Sequence, residues 1–97
     1  MPEFIRRAEK ILAAAERQEL IAHLARFPRS GVVIQGTGGI RKLRWAREGT
    51  GKSGGARVIY YFHNPHMPLY LLTIFGKSEK ANLSPAERNY LAKLVRL

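Results

Sequence analysis

The sequence predicts an α+β fold: an N-terminal helical hairpin, a small, mostly antiparallel sheet of about four strands, and a C-terminal helix. Three observations predict it. Apolar residues recur at helical spacing up to Phe27 and again after Ser84. Between those segments lie short β-branched and aromatic runs punctuated by glycines and by Asn64-Pro65. The connections between these runs are hairpin-like and not helical crossovers, which excludes a wound parallel sheet. The chain, residues 1–97, fits a single domain with one modest core.

The elements follow in order. Phe4, Ile5, Ala8, Ile11 and Leu12 share helical spacing, with Arg6, Arg7, Glu9 and Lys10 between them. A second helical pattern runs through Leu20, Ile21, Leu24 and Phe27, and Pro28 closes it. The intervening AAAERQE is compatible with a tight joint or with continuous helix. All of these apolar residues read as ordinary core-facing positions. Val32, Val33 and Ile34 form a short strand ended by the glycines of GTGG.

Next, IRKLRW alternates, with Arg41, Leu43 and Trp45 on one face and Lys42 and Arg44 on the other. ARVIYYFH alternates Arg57, Ile59, Tyr61 and His63 against Val58, Tyr60 and Phe62. AREGTGKSGG between them reads as a polar, glycine-rich hairpin loop. PLYLLTIF is continuously apolar and so reads as the central strand. In the last helix Ser84 is the cap, Pro85 takes the first helical position and Glu87 completes a capping box. Tyr90, Leu91, Leu94 and Val95 are its expected buried stripe.

Charge says what such a domain is for. The formal net charge is +10, and it is concentrated in the middle of the chain. From Leu20 to Ser78 there are nine basic residues, and Glu48 is the one acid; the flanking segments are nearly balanced. A surplus of that density repels itself and points to a polyanion, with nucleic acid the expected partner. There is no cysteine, so thiolate catalysis, thiolate metal sites and disulfides are excluded. There is no aspartate either, and the seven acids are all glutamates, mostly on the helical patterns. Oxygen-ligand cation sites and two-metal nuclease chemistry need clustered carboxylates, so no metal and no cofactor is expected. MPEFIRRAEK does not read as a signal peptide, and no apolar run approaches bilayer length. The expectation is a soluble cytoplasmic protein with no membrane partner.

Several local patterns are discounted. GTGKS at 49–53 resembles the end of a phosphate-binding loop, but that motif requires glycine where Ala46 stands. It would also have to feed a helix, and here it feeds the strand RVIYYF. His23, His63 and His66 lack metal-site spacing and read first as solvated or hydrogen-bonded side chains. Ser53, Ser78 and Ser84 have no nearby base and orienting partner.

The basic strand face remains. If hairpin register brings the faces into match, Lys42, Arg44 and Arg57 share one surface, and Leu43, Trp45, Val58, Tyr60 and Phe62 take the core side. Arg41 then sits near the sheet edge or snorkels. Lys77 and Lys80 follow the last strand and can close the same groove. Arg41, Arg47, Lys52, Tyr61 and His63 are candidate RNA contacts around it. Cations gathered about one phosphodiester can activate a ribose 2′-hydroxyl, stabilise phosphorane charge and neutralise the leaving oxygen. A guanidinium suits the second task through its planar fork, and a lysine among other cations suits proton abstraction. The plainer reading is a solvated basic face that binds without chemistry.

The runs GTGGIRKLRW, GKSGGARVIYYF and LYLLTIFGKSEKANLS, in that spacing, resemble the RelE/HigB family of toxins from type II toxin–antitoxin systems, and the HigB-like branch most. The resemblance spans roughly Val32 to Ala86, and the flanking helices also fit. It implies a RelE/ParE-like fold and a metal-independent endoribonuclease that cuts mRNA in the ribosomal A site, leaving a 2′,3′-cyclic phosphate. Lys42 and Arg44 match the family's paired basic residues, Arg57 its arginine on the next strand, and Lys77 and Lys80 its later basic cluster. Arg57 is implied to stabilise charge, and Lys42 or Arg44 to serve as base or phosphate ligand. Two positions depart: Ser78 stands where relatives carry arginine, and a tyrosine of those relatives falls near Leu83 or Ser84. The resemblance also implies a cognate antitoxin with a helix-turn-helix DNA-binding region, through which alone operator DNA is bound. A related branch of the same fold implies gyrase poisoning as an alternative, and a non-catalytic RNA- or ribosome-binding module is another.

Overall fold

The computed structural model describes residues 2–12, 14–47, 51–64, 66, 69–76 and 82–95. Two helices, α1 (Pro2–Ile11) and α2 (Ala14–Arg26), precede strands β1 (Val32–Val33), β2 (Ile40–Arg47), β3 (Gly51–Tyr61) and β4 (Tyr70–Gly76). A final helix, α3 (Pro85–Val95), closes the chain. The strands form one antiparallel sheet in the order β1-β2-β3-β4. The α+β expectation is the observed fold.

Register divides the side chains between two faces. Leu43 pairs with Val58 and Trp45 with Ala56, on the face covered by the helical hairpin. There Phe4, Ala8 and Leu12 of the first helical stripe join Leu20 and Leu24 of the second. The opposite face carries Ile40, Ile59, Leu72 and Phe75, packed by Leu83 and Leu91 at α3. A sheet with helices on both sides needs apolar residues on both pleat faces of its buried strands, which is why β4 reads as a continuous apolar run. A bulge leaves Leu72 as an extra residue on β4, between the Ile59–Thr73 and Tyr60–Leu71 pairs, and it joins the α3-side cluster.

Three expectations are corrected, and the open question of the helical joint is resolved. The apolar strand β4 lies at the sheet's edge and is not central; β2 and β3 are the inner strands. Its apolarity reflects two covered faces, while Arg7 Nε of α1 donates to the Ile74 carbonyl at 2.6 Å. The glycine-rich segment is largely strand, since β2 continues to Arg47 and β3 begins at Gly51. The hairpin breaks into two helices near Leu12, where the Leu12 amide still donates to Ala8. Lastly, Ile5 (60% exposed), Ile21 (52%) and Tyr90 (60%) face outward, each next to a buried residue of its helix, and Phe27, just past the end of α2, is exposed as well. A helix packed on a flat sheet buries a narrower stripe than its hydrophobicity alone indicates.

The link from α2 to β1 is held from beneath. Tyr60, fully buried, donates its hydroxyl to the Pro28 carbonyl and accepts the Gly31 amide, both at 2.8 Å. A Cβ on Gly31 would stand 2.8 Å from the Tyr60 ring and hydroxyl and 3.0 Å from the Lys42 carbonyl. Only glycine lets the backbone come that close. At the other end, Ser84 Oγ accepts the Glu87 amide at 3.1 Å and Glu87 returns a bond to the Ser84 amide at 2.9 Å, the expected capping box.

Candidate nucleic-acid interface

β2 and β3 build the site because their alternation sets Lys42, Arg44 and Arg57 on the α3-side face and Leu43, Trp45 and Val58 on the face of the helical hairpin. Arg44 pairs directly with Arg57 across the ladder, and Lys42 pairs with Ile59 one step along. Directly paired antiparallel residues point the same way, with Cβ atoms roughly 4.5–5.5 Å apart, and Lys42 is the diagonal neighbour of Arg57, roughly 7–8 Å away. Lys42, Arg44 and Arg57 therefore share the face on which α3 packs. Ile59 and Ile40, one and two steps along from the Arg44–Arg57 pair, belong to the cluster that α3 packs against.

Burial differs sharply within the trio. Arg44 is exposed and Lys42 half-buried, whereas Arg57 keeps only 6% of its surface, between Arg44 and buried Phe75. Among the described residues its guanidinium makes one long bond, Nη1 to the adjacent Ala56 carbonyl at 3.4 Å, and pairs with no carboxylate. A buried arginine without an acid has most of its donor fork unused. Lys42 is anchored differently: its Nζ donates to Asn82 Oδ1 at 2.8 Å, tying the strand to the segment before α3. Asn82 and the neighbouring Arg88 were not among the sequence candidates. The Lys42–Asn82 link spans forty positions, and no local period signals it.

The remaining candidates fall elsewhere. Arg41 lies on the opposite face, paired with Tyr60, and its Nη1 donates to the Gly31 carbonyl at 2.8 Å and to Arg29 at 3.3 Å. Its Nε is buried without a partner among the described residues. Tyr61 is on the Arg57 face but four residues along β3, roughly 13 Å away at strand rise. There it partly packs on the α3-side core, and its hydroxyl meets His63 Nδ1 at 3.2 Å with the rings stacked. The structure thus does not bring Tyr61 and His63 to Arg57. Arg47 and Lys52 have strand backbone in the distal arm of the ribbon, and their side chains lie outside the described set. Lys77 and Lys80 lie outside the described residues altogether, as does Ser78.

Histidine 23 has a structural place, its ring 5.4 Å from both Phe27 and Trp45 and its Nε2 3.2 Å from Ser30 Oγ. Among the described residues no cluster of three histidine or glutamate groups comes together, and no helix is long and apolar enough to cross a membrane.

Beside Lys42 lies a cleft of about 370 Å³, lined by Val32, Val33, Ile34, Lys42, Asn82, Leu83 and Arg88. The side chains that line this cleft are basic, amide or apolar. Comparison with protein families places this arrangement: the family model described as the RelE toxin of the RelE / RelB toxin–antitoxin system matches residues 5–96. The match takes in both helices of the hairpin, the whole sheet and α3, so the chain belongs to the RelE toxin family of toxin–antitoxin systems.

Proposed function

We propose that this toxin is a ribosome-dependent, metal-independent mRNA endoribonuclease of the HigB-like branch. The observation that carries the reading is the Arg44–Arg57 pair, with Lys42 diagonal to it, on one sheet face without a described carboxylate. In this reading the RNA's scissile phosphate sits over the trio. Arg57, held by its burial, directs unused guanidinium donors at the non-bridging oxygens and stabilises the added charge of the phosphorane. Arg44 cannot give up its proton and holds phosphate. Lys42, once its own ammonium proton has passed to solvent, takes the 2′-hydroxyl proton; the 2′-oxygen bonds to phosphorus, the bond to the 5′-oxygen breaks, and a 2′,3′-cyclic phosphate forms. Lys77 or Lys80 supplies the proton that the leaving 5′-oxygen takes up. Arg47, Lys52, Tyr61 and His63 contact RNA or ribosome away from the reacting phosphate.

Family membership implies a cognate antitoxin. We assign it a helix-turn-helix region that alone contacts operator DNA, and the cytoplasm as the place where toxin, messenger and ribosome meet. Cleavage of messenger on programmed ribosomes, with the 3′ ends of the products identified, tests the reaction. 2′,3′-Cyclic-phosphate ends support it, and intact messenger together with broken DNA would favour the gyrase-poisoning branch instead.

A further inference from the structure

We infer that the cleft beside Lys42 is a subsite for one nucleotide of the bound RNA, and that Asn82 reads its base. The inference rests on the RNase reading for its biological context, but the cleft itself is argued from geometry. At about 370 Å³ it is at the small end of ligand-binding clefts, which suits a single nucleotide and not a longer segment. Val32, Ile34 and Leu83 give it apolar walls for the face of a base, and Lys42 and Arg88 place two cations at its rim for phosphate. No acid is among the lining residues.

The bond between Lys42 and Asn82 makes the site directional. An ammonium only donates, so the amide oxygen of Asn82 must face Lys42, at 2.8 Å. The Asn82 NH2 is thereby left as the free end, and Asn82 is exposed. A donor fixed in that direction favours a base edge that presents acceptors, such as guanine or uracil carbonyls, over an edge that presents an exocyclic amine. Because Lys42 also belongs to the basic trio, the nucleotide read here adjoins the phosphate being cut. An extended acidic peptide is the competing occupant, since the free edge of β1 lies along the same cleft.

The experiment compares wild type with Asn82→Ala, Asn82→Asp and Arg88→Gln, each checked for folding by circular dichroism. Cut sites are mapped on translated messages and normalised to total cleavage. The account expects Asn82→Ala to flatten the base preference at one position next to the cut. Asn82→Asp should turn that preference toward adenine and cytosine, and Arg88→Gln should slow cleavage alike at all sites. Should wild type cut nothing, the RNase reading fails, and binding of the four trinucleotides that vary at one base then tests the subsite separately. A base preference removed by Asn82→Ala supports the subsite in either format. Unchanged preference in Asn82→Ala, absence of any preference in wild type, or a cleft that takes an acidic peptide and no trinucleotide overturns it.

Discussion

Arg44 and Arg57 stand directly opposite each other across the β2–β3 ladder, on the sheet face shared with α3. Like charges in that position oppose folding, and among the described residues no carboxylate relieves them. One guanidinium is exposed and the other almost wholly buried, so they differ in what they can do. The exposed one can follow a mobile polyanion. Its buried neighbour is held in place, which in the proposed reaction suits it to meet charge that develops at one point.

Replacing the exposed member should therefore stabilise the fold while weakening its function. Arg44→Gln is expected to raise unfolding stability by about 0.2–1 kcal/mol in urea titrations at low salt. Added salt should shrink the difference, because screening already relieves the repulsion in the parent chain. RNA affinity should fall, with the slope against log salt smaller by about one. A variant that is no more stable than the parent at low salt would contradict the pairing argument.

Geometry, and not charge alone, should matter at Arg57. Arg57→Lys keeps the charge but loses the planar fork that fits two phosphate oxygens. Single-turnover cleavage on ribosomes should drop by about 10²-fold with little change in ribosome binding. Equal losses in binding and in rate would make Arg57 only an anchoring cation.

Neighbouring cations of β2 should have separable effects. Arg41 spends its guanidinium on the carbonyls of Gly31 and Arg29, so Arg41→Met is expected to destabilise the fold by about 1.5–3 kcal/mol. Lys42 faces the other side, and Lys42→Met should leave the melting temperature nearly unchanged while abolishing cleavage. Thermal melts and cleavage assays on the two variants check this. The opposite assignment of losses would mean the face division does not govern function.

The Tyr60 bridge offers a test confined to folding. Tyr60→Phe leaves the buried Gly31 amide unsatisfied, for about 1–3 kcal/mol. Gly31→Ala pushes a methyl into the Tyr60 ring and hydroxyl and should cost a similar amount. Since both act on one contact, the double variant should lose less than the two losses added, measurable by denaturant melts.

Much of this was legible in the sequence because strand alternation is local. The period of IRKLRW and ARVIYYFH was enough to separate Lys42, Arg44 and Arg57 from Leu43, Trp45 and Val58, and the observed register places them on matching faces. The capping box was equally plain, being set within four residues. What was hidden depends on long-range docking. β4 lies at the edge because the strands pair in chain order, and its apolarity comes from its two covered faces, so a run of apolar residues cannot distinguish it from a central strand. Arg41 looked like a site cation because periodicity cannot tell a guanidinium turned to solvent from one bent back onto carbonyls. Asn82 and Arg88 could not be found at all, since the segment before α3 meets β2 only in the folded chain.

The most direct test of the central claim is inducible expression in a bacterial host, wild type beside Arg57→Ala, with 5′ ends of messenger mapped and folding of both proteins verified. The account predicts growth arrest with new in-frame cuts in translated messages for wild type, and neither for the folded variant. Intact messages in arrested wild-type cells, or cuts that persist in the variant, would contradict it.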